Sequence, residues 1–288
     1  MKGDLTEPFE RTPECGCGEP WPADDVGGTE SLLVAEPFLR RTVSFVRRDN
    51  RLRPRLQRIW DARHQEWVLD VPRVEASMSV APGYLLEPLR DFGREAPLVV
   101  EIGSGTGDAV VKGALASPGT NFLAVEVYRP GLALTVAKIV RNKLTNVRLV
   151  HADGIQVLEH MVGQGSVAEI WVFFADPWHK NRHHKRRLVN PGFAELTASR
   201  LAPGGTLRLA TDWADYARQM NEVLAACGSL TNPYAGLSSH HRQGEGRQDL
   251  TGPGTGFAPR FEGRAMTRFE QKALASGRAI YDLEVRRA

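Results

Sequence analysis

Cysteine is nearly absent from this chain. Its 288 residues include three, Cys15, Cys17 and Cys227, too few for a disulfide scaffold and without the spaced pairs of a zinc site. Long apolar runs are missing too: no stretch approaches the roughly 18 residues of a membrane-spanning helix. The opening MKGDLTEPFE has neither the basic start nor the apolar core of a secretory signal. The expectation is a soluble cytoplasmic protein with reduced thiols, no membrane partner and no bound metal. Net charge is small, with 37 Lys+Arg against 34 Asp+Glu giving +3, and such a total does not by itself identify a nucleic-acid binder. What is plentiful is apolar material. At 42% hydrophobic and 25% charged residues the chain supports one large core with extensions, which excludes a wholly disordered or fibrous protein.

The small total conceals a strong asymmetry. Residues 1–36 hold nine acids against Lys2 and Arg11, a local charge of −7, and this Pro/Gly-rich stretch reads as a disordered acidic extension. Between 40 and 58 the sign reverses, with Arg40, Arg41, Arg47, Arg48, Arg51, Arg53, Arg55 and Arg58 facing only Asp49. Arginine's planar fork suits phosphate, so residues 37–97 read as an Arg-rich arm and helical segment with RNA contact as one of its two readings, the other being a solvated face.

From residue 98 to 288 strand and helix patterns alternate as in an α/β fold with a parallel sheet. LVVEIG (98–103), NFLAVEV (121–127), NVRLVHA (146–152), VAEIWVFFA (167–175) and TLRLAT (206–211) read as strands, with helical segments between them and a Pro203-Gly204-Gly205 turn before the fifth. Residues 232–264 read as a long loop, TRFEQKALAS (267–276) as a helix and AIYDLEVRR (279–287) as a last strand.

The first strand runs into Glu101-Ile102-Gly103-Ser104-Gly105-Thr106-Gly107. Glycines between a strand and a helix let a ligand approach the backbone. The spacing G-x-G-x-G departs from the dinucleotide G-x-G-x-x-G and favours S-adenosylmethionine over NAD. Glu126 after the second strand suits ribose hydroxyls and Asp153 after the third suits an adenine amino group, although each alone also fits a cap or a turn. Glu101 can stabilise the cationic sulfonium or orient its amino acid moiety, and a buried strand glutamate without such a partner is costly.

The segment leaving the fourth strand, FFADPWHKNRHHKRR (173–187), places Asp176 at the strand end and Trp178 as a stacking face, followed by Lys180, Arg182, Lys185, Arg186 and Arg187 with no acid among them. Such a run fits a phosphate backbone better than a small metabolite. His179, His183 and His184 on it read as RNA or solvent contacts rather than metal ligands.

Together with EIGSGTG before it, ATDW (210–213) after it and TRFE (267–270) near the end, this block resembles the bacterial tRNA (guanine-N7)-methyltransferases. The likeness runs from about Ser44-Phe45-Val46-Arg47-Arg48 to the last strand. The resemblance implies a class I Rossmann-like methyltransferase fold, a mostly parallel seven-stranded sheet with helices on both faces. It implies S-adenosylmethionine as cofactor, tRNA as partner, and 7-methylguanosine formed at position forty-six of the variable loop by a monomer or weak homodimer. By the same resemblance Glu101, Glu126, Asp153 and Asp176, with Gly103, Gly105 and Gly107, form the cofactor site, and Asp176 is also the catalytic candidate. Lys180, Asp212, Thr267, Arg268, Phe269 and Glu270 match substrate contacts, and Arg182 to Arg187 match an RNA-interaction loop. Ala175 and Ser104 depart from the family's frequent proline and aromatic. Two readings stay open beside it: a methyltransferase for a small molecule or protein, which leaves the basic run unexplained, and a non-catalytic RNA-binding module. An NAD-dependent oxidoreductase is disfavoured by the glycine spacing.

Overall fold

The computed structural model describes residues 44–45, 51–74, 78–237 and 256–288. The acidic stretch 1–36, with Cys15 and Cys17, lies outside the described residues, as do 40–43 and 46–50 of the arginine-rich arm and 238–255 of the long loop.

Seven strands form one sheet: β1 (Leu98–Ile102), β2 (Asn121–Val125), β3 (Val147–Val150), β4 (Val167–Phe173), β5 (Leu201–Thr211), β6 (Leu230–Thr231) and β7 (Tyr281–Arg287). Their order is β3-β2-β1-β4-β5-β7-β6. Pairings through β5 are parallel, whereas β7 runs antiparallel to both β5 and β6. Every residue of β1 and β2 is buried, as expected of parallel strands covered on both faces. The expected mostly parallel seven-stranded α/β sheet is therefore present.

The helices divide between the faces. Val99, Phe122 and Ala124 pack with Trp60 of α1 (Pro54–Trp67), Val110 of α3 (Asp108–Ala116) and Leu132 of α4 (Arg129–Asn142). The alternate strand residues Val100, Ile102, Leu123 and Val125 pack with Leu158 of α5 (Gly154–His160), Phe193 of α6 (Pro191–Arg200) and Met220 of α7 (Ala214–Ala226). This alternation is the two-residue period of a strand turned into two cores. Short α2 (Pro88–Phe92) precedes β1, and α8 (Arg268–Ala275) precedes β7. Several helices start where the chain supplies a cap: the side chains of Asp153, Asn190 and Thr267 accept from the amides of Ile155, Phe193 and Glu270.

Two details depart from the sequence expectation. The segment Pro203-Gly204-Gly205 lies within β5, which starts at Leu201. The pairing shifts between Val167↔Leu201 and Glu169↔Thr206, so the extra residues are absorbed as an irregularity in the ladder rather than as a separate turn. The two-residue β6 was not anticipated, since so short a segment carries no periodicity. Strand order reverses between β1 and β4, and a crevice opens at their carboxyl ends, the position where open α/β sheets take ligands. Among the described residues no helix is long and apolar enough to cross a membrane.

Candidate functional site

A cavity of about 360 Å³ occupies this crevice. Its walls bring together Glu101, Gly103 and Gly105 from the first strand exit, Glu126 from the second, Asp153 from the third and Asp176 from the fourth, with Thr267, Arg268 and Phe269 from the start of α8. These residues are scattered over the chain, and the sheet topology alone gathers them.

The glycine loop is fixed by its neighbours. Glu126 Oε2 accepts from the amide of Gly105 at 2.6 Å, and Oε1 accepts from the amides of Val127 and Tyr128 at 2.7 and 2.9 Å. The amides of Gly103 and Ser104 donate to the carbonyl of Val125. Gly105 has φ +57, and a side-chain carbon there would meet no atom within 4 Å, because that space belongs to the cavity. Gly107 caps α3 with φ +74 and packs on Thr135 rather than lining the cavity. Gly131, in the first turn of α4, was not singled out by sequence. A methyl group on it would overlap the carbonyl oxygen of Gly105, well inside 3.0 Å, so only glycine lets α4 approach the loop.

Glu101 is 4% exposed, and its Oε2 has no hydrogen-bond partner among the described residues. Burial pushes its carboxyl up to about 8, helped by the negative charges of Glu126 and Asp108 and opposed by the Val110 amide and Lys138. Asp108 and Lys138 also escaped the sequence reading. Lys138 donates to Asp108 at 2.5 Å and to the carbonyl of Thr106 at 2.7 Å, which ties α4 to the loop. Asp153 fills the role of helix cap, accepting from Ile155 at 2.9 Å, while its amide donates to the carbonyl of Met78 at 2.8 Å.

Asp176 is half-buried in the cavity wall. Two non-glycine residues with positive φ bracket it, Phe174 at 58° and Trp178 at 48°, so the chain is held in a costly conformation on either side of the carboxylate. No hydrogen bond or ion pair engages Asp176 among the described residues, leaving both oxygens available to an incoming ligand.

The basic run that follows is a short 3-10 helix, Asn181–Arg186, rather than an irregular loop. Arg186 lies over the Trp178 ring at 4.8 Å and His183 packs edge-on against it, while the Trp178 indole donates to the carbonyl of Ser44 at 3.1 Å. Lys180, Arg182, Lys185 and Arg186 are exposed. Arg187 is not, and here the structure corrects the expectation. Its side chain, 2% exposed, donates to Asp215, Gln219 and the carbonyl of Pro177 and lies over the Tyr216 ring. It anchors the basic segment to α7, with its guanidinium committed to these partners.

A second correction concerns Glu270. The structure brings Thr267, Arg268 and Phe269 to the cavity, Phe269 with 60% of its surface exposed, but not Glu270. The Glu270 carboxylate is wholly buried between Arg260 and Arg264, and Arg264 in turn pairs with Asp282 of β7 and lies over Phe173 and Phe174. Burial between two guanidiniums gives Glu270 a structural role that holds α8 against the strand exit. Asp212 stands outside the cavity wall, paired with Arg278 at 3.1 Å. The adjoining Trp213 packs against His179, with ring centroids 4.1 Å apart. Among the described residues no group of three His, Cys, Asp or Glu side chains is placed to hold a metal ion.

The site fits a nucleoside bearing a positive charge. It combines a buried carboxyl with one unpartnered oxygen, two further carboxylates at successive strand ends and a glycine loop open to the cavity. Known proteins agree in kind. A family model described as "Putative methyltransferase" matches residues 95–283. A tRNA (guanine-N(7)-)-methyltransferase of Arthrobacter sp. is 48% identical over 276 residues, covering 86% of each chain. Proteins of the same name from Cutibacterium acnes and Methylococcus capsulatus are 46% and 39% identical, covering 86% and 90% of this chain and 84% and 100% of their own.

Proposed function

The chain belongs to the tRNA (guanine-N7)-methyltransferase family, and from that premise we propose that its target is the guanine at position forty-six of the tRNA variable loop, with Asp176 as the catalytic residue. The enzyme transfers a methyl group from S-adenosylmethionine to guanine N7. The single observation that carries the role of Asp176 is its unengaged carboxylate in the wall shared with Glu101, Glu126 and Asp153.

S-adenosylmethionine supplies an electrophilic methyl group on a sulfonium. Glu101 would take its cationic end, ammonium or sulfonium, Glu126 the ribose hydroxyls and Asp153 the adenine edge, while the Gly103 and Gly105 backbone would leave room for the ligand. Guanine N7 already offers a lone pair and has no proton to lose, so no strong general base is needed and positioning dominates. Asp176 accepts from the guanine's imino and amino hydrogens. Its negative charge stabilises the positive charge that grows on the purine as N7 is methylated. Thr267, Arg268 and Phe269 complete the guanine's surroundings, Asp212 stands beyond them in its ion pair with Arg278, and Lys180, Arg182, Lys185 and Arg186 meet the phosphate backbone. The enzyme acts in the cytoplasm as a monomer or weak homodimer without metal.

The test is incubation of the protein with methyl-labelled cofactor and tRNA transcripts carrying guanine or adenine at position forty-six, followed by nucleoside analysis. Labelled 7-methylguanosine from the guanine transcript alone is expected. Equal labelling of both transcripts would overturn the assignment of position.

Exposed and buried members of the basic run give opposite results. Lys185→Ala removes one phosphate contact and flattens the plot of log affinity against log salt by about 0.7–0.9. Arg187→Met leaves that slope unchanged and lowers stability by about 1–3 kcal/mol, because the hydrogen bonds of the buried guanidinium to Asp215, Gln219 and the Pro177 carbonyl are lost. Salt titrations and thermal melts on the two variants check the pair. A flattened slope in Arg187→Met would return that residue to the RNA surface.

A further inference from the structure

Glu101 sits in the middle of the sheet, opposite Ala124 of β2 and Trp171 of β4. Glu101 belongs to the cavity wall; the Val110 amide serves its carboxyl, while its Oε2 is buried with no hydrogen-bond partner. The charged groups facing it do not compensate a negative charge. Glu126 at the exit of β2 and Asp108 at the start of α3 are of like sign. Lys138 of α4 is committed to Asp108 and to the Thr106 carbonyl. From β4 the opposing residue is the uncharged Trp171. Elsewhere on the wall Asp153 and Asp176 add negative charge, and Arg268 is the cation. An ionised carboxylate in such surroundings is strongly disfavoured until an opposite charge arrives.

We infer that Glu101 is the charge-selecting residue of the cleft: it holds a proton in the ligand-free protein and surrenders it to solvent when a cationic ligand enters, so that binding of the methyl donor is coupled to release of one proton. This rests on reading the cavity as the cofactor site. No covalent bond of the ligand changes; the proton leaves the Glu101 carboxyl and is taken up by buffer. The direction of the coupling follows from the raised carboxyl. Below about pH 8 the free protein holds the proton, and each unit of acidification must be overcome by the ligand. Affinity therefore rises with pH and levels off near pH 8. A neutral ligand of the same shape leaves the proton in place, which makes Glu101 a discriminator of ligand charge.

The experiment is calorimetric titration of the full chain with S-adenosylmethionine at pH 7.0 in buffers of different ionisation enthalpy, repeated at pH 6.0. Below pH 7.3 the ligand's own α-amino group, ordinarily near 7.7–8.0, stays mostly charged. Most of one proton is released per ligand at pH 7.0, and the dissociation constant falls severalfold from pH 6.0 to 7.0, toward a limit of about tenfold. S-adenosylhomocysteine, which keeps the ammonium but lacks the sulfonium charge, identifies the partner. Equal release points to the ammonium and no release to the sulfonium, and each supports the inference. In Glu101→Gln any residual binding releases no proton and is independent of pH. Tight wild-type binding with no dependence on buffer, or undiminished release in Glu101→Gln, overturns the inference while leaving the cofactor site standing. Failure of S-adenosylmethionine to bind at either pH overturns both.

Discussion

Asp176→Ala lowers the turnover number for methyl transfer to tRNA about a hundredfold and changes tRNA affinity far less. Loss of one charged contact made chiefly in the transition state costs on the order of 3 kcal/mol, which is about that factor in rate. The guanine enters neutral and leaves cationic, so the carboxylate contributes more as the reaction proceeds than it does to initial binding. Asp176→Asn should fall nearly as far, because the amide keeps the shape and one acceptor but not the charge. The flanking residues support a precise placement of this carboxylate, since the positive φ of Phe174 and Trp178 is a cost that surrounding packing must sustain. Trp178 is held by Arg186 and by the Ser44 carbonyl, and Phe174 lies under Arg264. Single-turnover kinetics with saturating cofactor, set beside tRNA binding, separate the two effects. Wild-type turnover in either variant would remove Asp176 from the chemistry.

Gly131→Ala is the second large effect. The added methyl would overlap the Gly105 carbonyl oxygen. That carbonyl belongs to rigid backbone rather than to a flexible side chain, so α4 or the glycine loop must shift. Overpacking of this kind costs about 1–3 kcal/mol. The Gly105 amide is also bonded to Glu126, so the displacement passes into the carboxylate assigned to the ribose. Cofactor affinity is expected to drop by at least about tenfold, with a lower melting temperature. Gly119→Ala is the control, because its added carbon meets nothing within 4 Å and its backbone does not have positive φ. Calorimetry and thermal melts on both variants give the result. Unchanged affinity in Gly131→Ala would show that the loop tolerates movement without loss of function.

The parts of this protein that were legible in its sequence are those whose signal is local. LVVEI and NFLAV are mostly apolar, broken only by Glu101 and Asn121, because both faces of each strand are covered. Glu101 near the end of β1 and the acids that follow β2 and β3 therefore arrive together at one sheet edge. What was not legible depends on partners distant in the chain. Arg186 and Arg187 are the same residue type at adjacent positions, and only Asp215 and Gln219 of α7 decide which turns inward. Glu270 reads like Thr267 and Phe269 beside it until Arg260 and Arg264 bury it. Gly131 reads as an ordinary helix start after Pro130, and its need for glycine arises from the carbonyl of Gly105 in another element. The start of β5 was misplaced because Pro203-Gly204-Gly205 has turn composition, yet it can be carried as an irregularity within a paired strand.

The position of β7 between β5 and β6 has a temporal consequence. Its pairing residues come about seventy positions after the end of β5, and a ribosome adding about 5–20 residues per second needs on the order of ten seconds to supply them. Throughout that interval the outer edge of β5 lacks its final neighbour, a state in which a strand is open to mistaken partners. Arg208 sits on that edge strand, already within reach of Glu169 on β4, and its second carboxylate, Glu284, arrives only with β7, directly opposite it. A foreign apolar strand would leave the guanidinium half-answered, so the charge that later cements the sheet first serves to keep its unfinished edge vacant for the segment that belongs there.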